Sequence, residues 1–192
     1  MEHRRLSFDD IATLRAETHF RYGALRHPIG VMLWNVRSAY NVGSIFRTCD
    51  ATRVEQLVLC GYTPNPTTGK VHKTSLGAEQ TVPWVHIANP FEAFERQRRA
   101  GHRILAVELA AGARSYATLT AEDFPATFVF GNELVGISDE LLRASDDAIV
   151  IPMFGEKHSL NVAVSVGVVL YRALETLGVL TAAEFVLRPT AP

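Results

Sequence analysis

Residues 127–138 read Thr127-Phe128-Val129-Phe130-Gly131-Asn132-Glu133-Leu134-Val135-Gly136-Ile137-Ser138, and the change of pattern within this stretch indicates the fold. The apolar run 127–130 predicts a buried strand. The glycine-bracketed segment after it predicts a loop, and Ser138 is a good cap for a helix over 138–145. A buried strand that leads through a polar loop into a helix is typical of an α/β protein.

The same alternation of strand and helix recurs along the chain. Apolar runs predict further strands over residues 30–34, 56–60, 82–87, 103–109 and 148–151. Helical spacing and flanking caps predict helices over 41–53, 90–101 and 161–177. This pattern favours a mostly parallel sheet with helices on both faces, in which a ligand binds beyond the carboxyl ends of the strands.

Length and composition indicate one globular domain. The chain has 192 residues, of which 47% are hydrophobic and 20% charged, and this is ordinary globular usage. We predict that residues 1–28 form a helical arm and that residues 29–192 form the domain itself. The formal net charge is −1, so any binding of nucleic acid must use a local basic patch.

Several classes of protein are disfavoured. Two cysteines, Cys49 and Cys60, are too few for a disulfide framework or a four-thiolate zinc site and suit a reducing cytosol. We therefore expect a cytoplasmic protein without a metal, and the chain shows neither a signal peptide nor an apolar run of membrane-spanning length.

The glycine spacing of 131–138 is that of a phosphate-binding loop, but Ile137 replaces its lysine, which argues against nucleotide hydrolysis. His158 stands beside Ser159, and because adjacent side chains rarely face each other we expect a structural or binding histidine.

Polar segments follow three predicted strands, and the first is 35–50. We expect Asn41 to cap the next helix, which places Gly43, Arg47 and Asp50 on one helix face. Gly43 leaves room on that face for a backbone or a ligand. The alternative is a simple surface ion pair between Arg47 and Asp50.

The other two segments are 131–138 and 151–161. The glycines of the first let backbone groups approach a ligand, while Glu133 can accept hydrogen bonds or orient an arginine. Ser159 and Asn161 place a hydroxyl and an amide beside a helix N-terminus, which suits either ligand binding or capping alone.

The longest irregular stretch, 61–74, predicts a mobile basic loop that carries Lys70 and Lys73. Loops of this length are usually functional or disordered. It is either a cationic binding element or a solvated connection.

Together these segments resemble the SpoU (TrmH-like) branch of the SPOUT RNA methyltransferases over about residues 29–175. The family's motifs are matched in order by Asn41-x-Gly43-x-x-x-Arg47-Thr48, by Gly131-Asn132-Glu133-x-x-Gly136, and by Ile151-Pro152-Met153 followed by Ser159-Leu160-Asn161-Val162. In the family the third motif usually continues with a serine. In this chain Ala163 occupies that position, and the next serine is Ser165.

The resemblance implies a deep trefoil knot in the C-terminal part of the sheet and an obligate homodimer. It implies S-adenosylmethionine as cofactor, held largely by the backbone of loops that include Leu109, Gly131, Gly136, Ile151, Met153 and Leu160. The implied reaction is methyl transfer to a ribose 2′-hydroxyl of tRNA or rRNA.

The resemblance also implies roles for the polar residues. Because a guanidinium keeps its proton, we expect Arg47 to pair with an RNA phosphate and to stabilise the emerging alkoxide, with proton loss helped by that phosphate or a water. Asn41, Glu133, Ser159 and Asn161 would orient Arg47, the cofactor and the ribose, and Lys70 and Lys73 would contact RNA phosphates. The alternatives are a catalytically silent knotted RNA-binding or assembly factor, and methyl transfer to a base or a protein.

Overall fold

The computed structural model describes residues 5–67 and 69–180. The strands are β1 (His27–Trp34), β2 (Val54–Cys60), β3 (Trp84–Ile87), β4 (Arg103–Val107), β5 (Arg114–Ser115), β6 (Ala126–Phe130) and β7 (Asp147–Val150). The α-helices are α1 (Phe8–Tyr22), α2 (Ala39–Ala51), α3 (Gly69–Ser75), α4 (Pro90–Arg99), α5 (Asp139–Ala144) and α6 (Val162–Thr176).

The strands form one parallel sheet in the order β3-β2-β1-β6-β4-β7-β5. The predicted parallel α/β sheet is therefore confirmed, and each predicted strand is present with shifts of a few residues at its ends. The short strand β5 was not predicted, because two residues carry no periodicity that could indicate a strand. The chain runs outward from β1 to β3 and then crosses to β4, so β1 and β6 lie where the strand order changes direction.

Apolar side chains cover both faces of the sheet. Along β1, Val31 and Leu33 belong to a buried cluster that includes residues of α2 and α6, whereas Met32 belongs to a second cluster with residues of α4 and α5. Successive residues of a strand point to opposite faces, so the two clusters are the two sides of the sheet. This arrangement explains why the strands are continuous apolar runs rather than alternating ones.

Two local predictions were wrong. The cap of α2 is Ser38, whose side chain accepts a hydrogen bond from the Asn41 backbone nitrogen, so Asn41 lies inside the first turn. The stretch 61–74 is not wholly irregular, because α3 begins at Gly69 and packs against α2 with Val71 buried. Burial of Val71 outweighs the weak helix propensity of this short glycine-led segment.

The helix α1 lies within the predicted arm, and the contacts divide the chain into two units, one running from Arg26 to Val179 and the other including α1. The boundary at residue 28 stays a prediction, and residues 1–4 and 181–192 lie outside the described residues. The trefoil knot also stays a prediction. Within the described ranges, no helix has the length and apolarity needed to cross a membrane.

Candidate active site

A cavity of about 380 Å³ opens at the carboxyl ends of β4, β6 and β7, where an α/β sheet binds its ligands. The residues predicted to hold the cofactor all line it: Leu109, Gly131, Gly136, Ile151, Met153 and Leu160. Glu133 and Ser159 line it as well. The structure thus gathers residues from distant parts of the chain at one edge of the sheet.

The loop after β6 is folded back on itself. Asn132 and Gly136 exchange backbone hydrogen bonds of 3.1 and 2.9 Å, and Gly136 has a φ of +67°. A Cβ atom on Gly131 would lie 2.2 Å from the carbonyl carbon of Gly136. The two glycines therefore allow the loop to close on its own backbone, in addition to any access they give a ligand.

Two residues that the sequence analysis did not assign a role hold this loop in place. Glu108 accepts hydrogen bonds from the backbone nitrogens of Leu109 and Ile137, at 3.0 and 2.9 Å. Asn132 is buried, and its side chain donates to the Asn35 carbonyl at 2.8 Å and accepts from the Leu134 nitrogen at 2.8 Å. The sequence analysis missed Glu108 because it placed this residue inside the predicted strand 103–109, whereas β4 ends at Val107 and Glu108 follows it directly.

A chain of hydrogen bonds joins three of the predicted catalytic residues. Glu133 accepts from the Asn41 side-chain amide at 3.0 Å. The Asn161 amide in turn donates to the Asn41 side-chain oxygen at 3.1 Å. This chain ties the loop after β6 to the first turn of α2 and to the start of α6, where Asn161 also caps the helix through the Ala163 nitrogen. Both the binding and the capping interpretations of Asn161 are therefore compatible with its contacts.

The carboxylate of Glu133 lies at the N-terminus of α2. It also accepts from the backbone nitrogens of Arg37 and Ser38, at 2.8 and 3.1 Å. Partial burial acts to raise the pKa of Glu133, but these backbone donors and the Asn41 amide outweigh it, so its pKa lies below the ordinary glutamate value. The site holds Glu133 as an anion, which suits a helix N-terminus.

Arg47 is exposed on α2 and does not line the cavity. The alternative of an ion pair between Arg47 and Asp50 is not found among the described residues, where Asp50 instead accepts a hydrogen bond from the Thr81 hydroxyl. The neighbouring Gly43 is covered, because a Cβ atom there would lie 1.9 Å from the Thr74 hydroxyl of α3. The room predicted at Gly43 is thus occupied by the Thr74 side chain and the Ser75 backbone nitrogen of α3, and Arg47 remains available to a ligand or a second chain.

Lys70 and Lys73 are both exposed on α3. Because α3 packs against α2, these lysines lie on the helix next to the one that carries Arg47. The predicted RNA-contacting residues therefore belong to neighbouring elements of the structure.

The cavity lining indicates what it can hold. Leu109, Ile151, Met153 and Leu160 supply apolar surface, and the loops supply backbone polar groups. Its carboxylates favour a positively charged organic ligand over an anion. Among residues 5–67 and 69–180, no cluster of histidine, cysteine, aspartate or glutamate has the arrangement of a metal site.

Comparison with known proteins gives matches over most of the chain. A family model described as the SpoU rRNA Methylase family matches residues 28–171. The tRNA (guanosine(18)-2'-O)-methyltransferase of Aquifex aeolicus is 36% identical over 143 residues, which are 72% of this chain and 65% of that protein.

Two solved structures share the fold. The A. aeolicus TrmH/SpoU tRNA modifying enzyme has a TM-score of 0.73 at 28% identity, covering 87% of this chain and 85% of that one. An AdoMet bound rRNA methyltransferase from Sinorhizobium meliloti has a TM-score of 0.72 at 30% identity, covering 80% of this chain and 58% of that one.

Proposed function

The chain belongs to the SpoU rRNA Methylase family, and from this premise we propose that it transfers a methyl group from S-adenosylmethionine to a ribose 2′-hydroxyl of RNA. The observation that carries the proposal is the cavity of about 380 Å³, which gathers the six loop residues expected to hold the cofactor. The relative from A. aeolicus is a tRNA ribose methyltransferase by name. Its name supports the ribose 2′-oxygen as the acceptor.

The cavity suits S-adenosylmethionine. When bound, this cofactor supplies an electrophilic methyl group on a positively charged sulfur. The apolar side chains of Leu109, Met153 and Leu160 would cover its less polar parts, and the carboxylates of Glu108 and Glu133 give the lining a favourable charge. A related rRNA methyltransferase structure contains AdoMet.

Arg47 would act on the RNA rather than on the cofactor. Its guanidinium is exposed and has no hydrogen-bond or ion-pair partner among the described residues, so it is free to hold a phosphate by a bidentate contact. From there it would stabilise negative charge on the ribose oxygen as that oxygen loses its proton. Because arginine keeps its own proton, the proton must go to another group.

We infer that the active form is a homodimer. Arg47 lies outside the cavity of its own chain, and a second copy would bring it to the cavity of the partner. The helix α6 also presents an apolar stripe, in which Val164 is 51% and Tyr171 is 48% exposed. Gly167 lies between them, and a Cβ atom there would meet nothing within 4 Å, so this face has room for another chain.

The substrate would be tRNA or rRNA, which are the two classes named among the relatives. The exposed Lys70 and Lys73 would contact its phosphates. The reaction would take place in the cytoplasm, because Cys49 and Cys60 are unpaired thiols that suit a reducing compartment. Burial raises the pKa of the Cys60 thiol to about 12, so it stays protonated.

The test is to incubate the protein with S-adenosylmethionine and tRNA or rRNA and to identify the modified nucleoside by mass spectrometry. We expect a nucleoside that carries the added methyl group on its ribose. A methylated base, or methylated protein, would assign another acceptor. Cofactor binding without any transfer would favour the catalytically silent assembly factor.

The dimer is tested by mixing two inactive variants. Arg47→Ala lacks the guanidinium, and Gly131→Val blocks the cavity loop, so each homodimer would be inactive. After the subunits exchange, a mixed dimer keeps one site with both parts intact, and we expect activity to return. No recovery in a sample shown to contain mixed dimers would contradict a site shared between two chains.

A further inference from the structure

The cavity contains one histidine, and the proposed function leaves it without a role. His158 lines the cavity beside Ser159, at the end of the segment that follows β7. Its side chain is exposed, and neither ring nitrogen has a hydrogen-bond partner within the described part of the chain. The ionisable side chains that line the cavity are Glu108, Glu133 and His158.

The two glutamates are poorly suited to take a proton. Both oxygens of Glu108 accept backbone hydrogen bonds, one from Leu109 and one from Ile137. Glu133 is held by three donors that lower its pKa and make it a weaker base. An imidazole, by contrast, has an ordinary pKa of about 6.5 and is the commonest general base near neutral pH.

We propose that His158 is the general base of the methyl transfer, an inference that rests on the proposed function. In this step the ribose O–H bond breaks and its proton passes to a ring nitrogen of His158. The ribose oxygen forms its bond to the methyl carbon while the carbon–sulfur bond breaks and leaves its electron pair on sulfur. The positive charge of the sulfonium is thereby replaced by that of the imidazolium, which later releases its proton to water.

This assignment gives Arg47 and His158 separate tasks. Arg47 stabilises negative charge on the oxygen and His158 accepts the proton, so the guanidinium is not required to give up a proton of its own. The charged groups around the histidine are Glu156 and Lys157 on its own segment, and Glu108 and Glu133 on the other loops that line the cavity. Two residues of opposite charge precede His158 in the sequence, and two carboxylates line the same cavity.

The experiment compares His158→Gln with the wild type from pH 5 to pH 9, using tRNA or rRNA that the wild type methylates. We expect kcat of the variant to fall by about a hundredfold or more at pH 8. We also expect the wild-type rise of kcat/KM through the imidazole range to disappear. The dissociation constant for S-adenosylmethionine, measured by calorimetry, should stay within about twofold, because a base for the ribose makes no essential contact with the cofactor.

The matched control is His86→Gln, which changes an exposed histidine on β3 whose ring contacts the Gly61 carbonyl outside the cavity. This control should keep the wild-type rate and pH profile. A His158→Gln enzyme with the wild-type pH profile, or with a loss explained by weaker cofactor binding, would overturn the proposal. If the wild type itself transfers no methyl group to ribose, the proposed function fails instead, so the two failures are distinguishable.

Discussion

Replacement of Glu133 by glutamine tests whether this carboxylate ties the site together. The change keeps the shape of the side chain but replaces one carboxylate oxygen by an NH₂ group. In the protein, one oxygen accepts from Ser38 and Asn41 and the other from Arg37. The remaining side-chain oxygen of glutamine can still accept from Ser38 and Asn41. Its NH₂ group then faces the Arg37 backbone nitrogen, which is itself a donor, so that hydrogen bond is lost.

The expected loss follows from these contacts. A hydrogen bond to a charged group contributes about 1.5–3 kcal/mol and one between neutral groups about 1 kcal/mol. The variant loses one bond to the carboxylate and weakens two others, while water partly replaces the lost acceptor at the exposed Arg37 nitrogen. We therefore expect the free energy of unfolding to fall by about 2 kcal/mol at pH 7.

The pH dependence of the free energy of unfolding provides an independent test of the role of Glu133. The pKa of Glu133 is lowered in the folded protein, so its contribution to stability is complete above the unfolded pKa of about 4.3 and is lost as the pH falls through the folded value. The difference in free energy of unfolding between the wild type and Glu133→Gln should be constant from pH 5 to pH 7. It should narrow below about pH 4.3.

The measurement is urea unfolding at one fixed protein concentration over this pH range. Glu95→Gln is the matched control, because Glu95 is exposed on α4 and its pair with Arg99 is 4.0 Å long. Such a surface pair contributes about 0.5 kcal/mol or less. A Glu133→Gln protein as stable as this control at pH 7, or a difference that widens in acid, would refute the reasoning.

Three further predictions concern packing, the polar chain and RNA binding. Gly43→Ala should lower the free energy of unfolding by about 1–3 kcal/mol, because its methyl group would overlap Thr74; unchanged thermal stability would contradict this packing. Asn161→Asp keeps the cap but loses its amide donor, so cofactor affinity or turnover should fall, and unchanged values would leave Asn161 as a cap alone. Replacing Lys70 and Lys73 together by glutamine should weaken RNA binding and reduce the slope of log affinity against log salt by about 1.5, whereas an unchanged slope would remove both lysines from the interface.

The sheet could be predicted from the sequence because its strands are buried on both faces. Runs such as residues 56–60 and 127–130 are apolar at nearly every position, and such runs occur when helices cover both sides of a sheet. The helix α3 could not be predicted in this way. It forms because Val71 and Ser75 are buried against α2, and this contact depends on residues far away in the chain.

The candidate site could likewise be predicted in part. Polar residues directly after strands identified Glu133, Ser159 and the cavity glycines, because the carboxyl ends of parallel strands meet at one edge. The cap of α2 was misplaced from Ser38 to Asn41 because both residue types cap helices well. The role of Asn132 depends on its burial and on contacts with Asn35, and the spacing of residues along the chain gives no signal for such contacts.

The most direct test of the account measures cofactor binding and methyl transfer on the same preparation of Arg47→Ala. Transfer is followed with methyl-labelled S-adenosylmethionine and RNA, and binding is followed by calorimetry. Because Arg47 lies outside the cavity of its own chain, we predict that transfer is abolished while the dissociation constant for S-adenosylmethionine stays nearly unchanged. Full transfer by Arg47→Ala would contradict the central claim and would remove this arginine from the site.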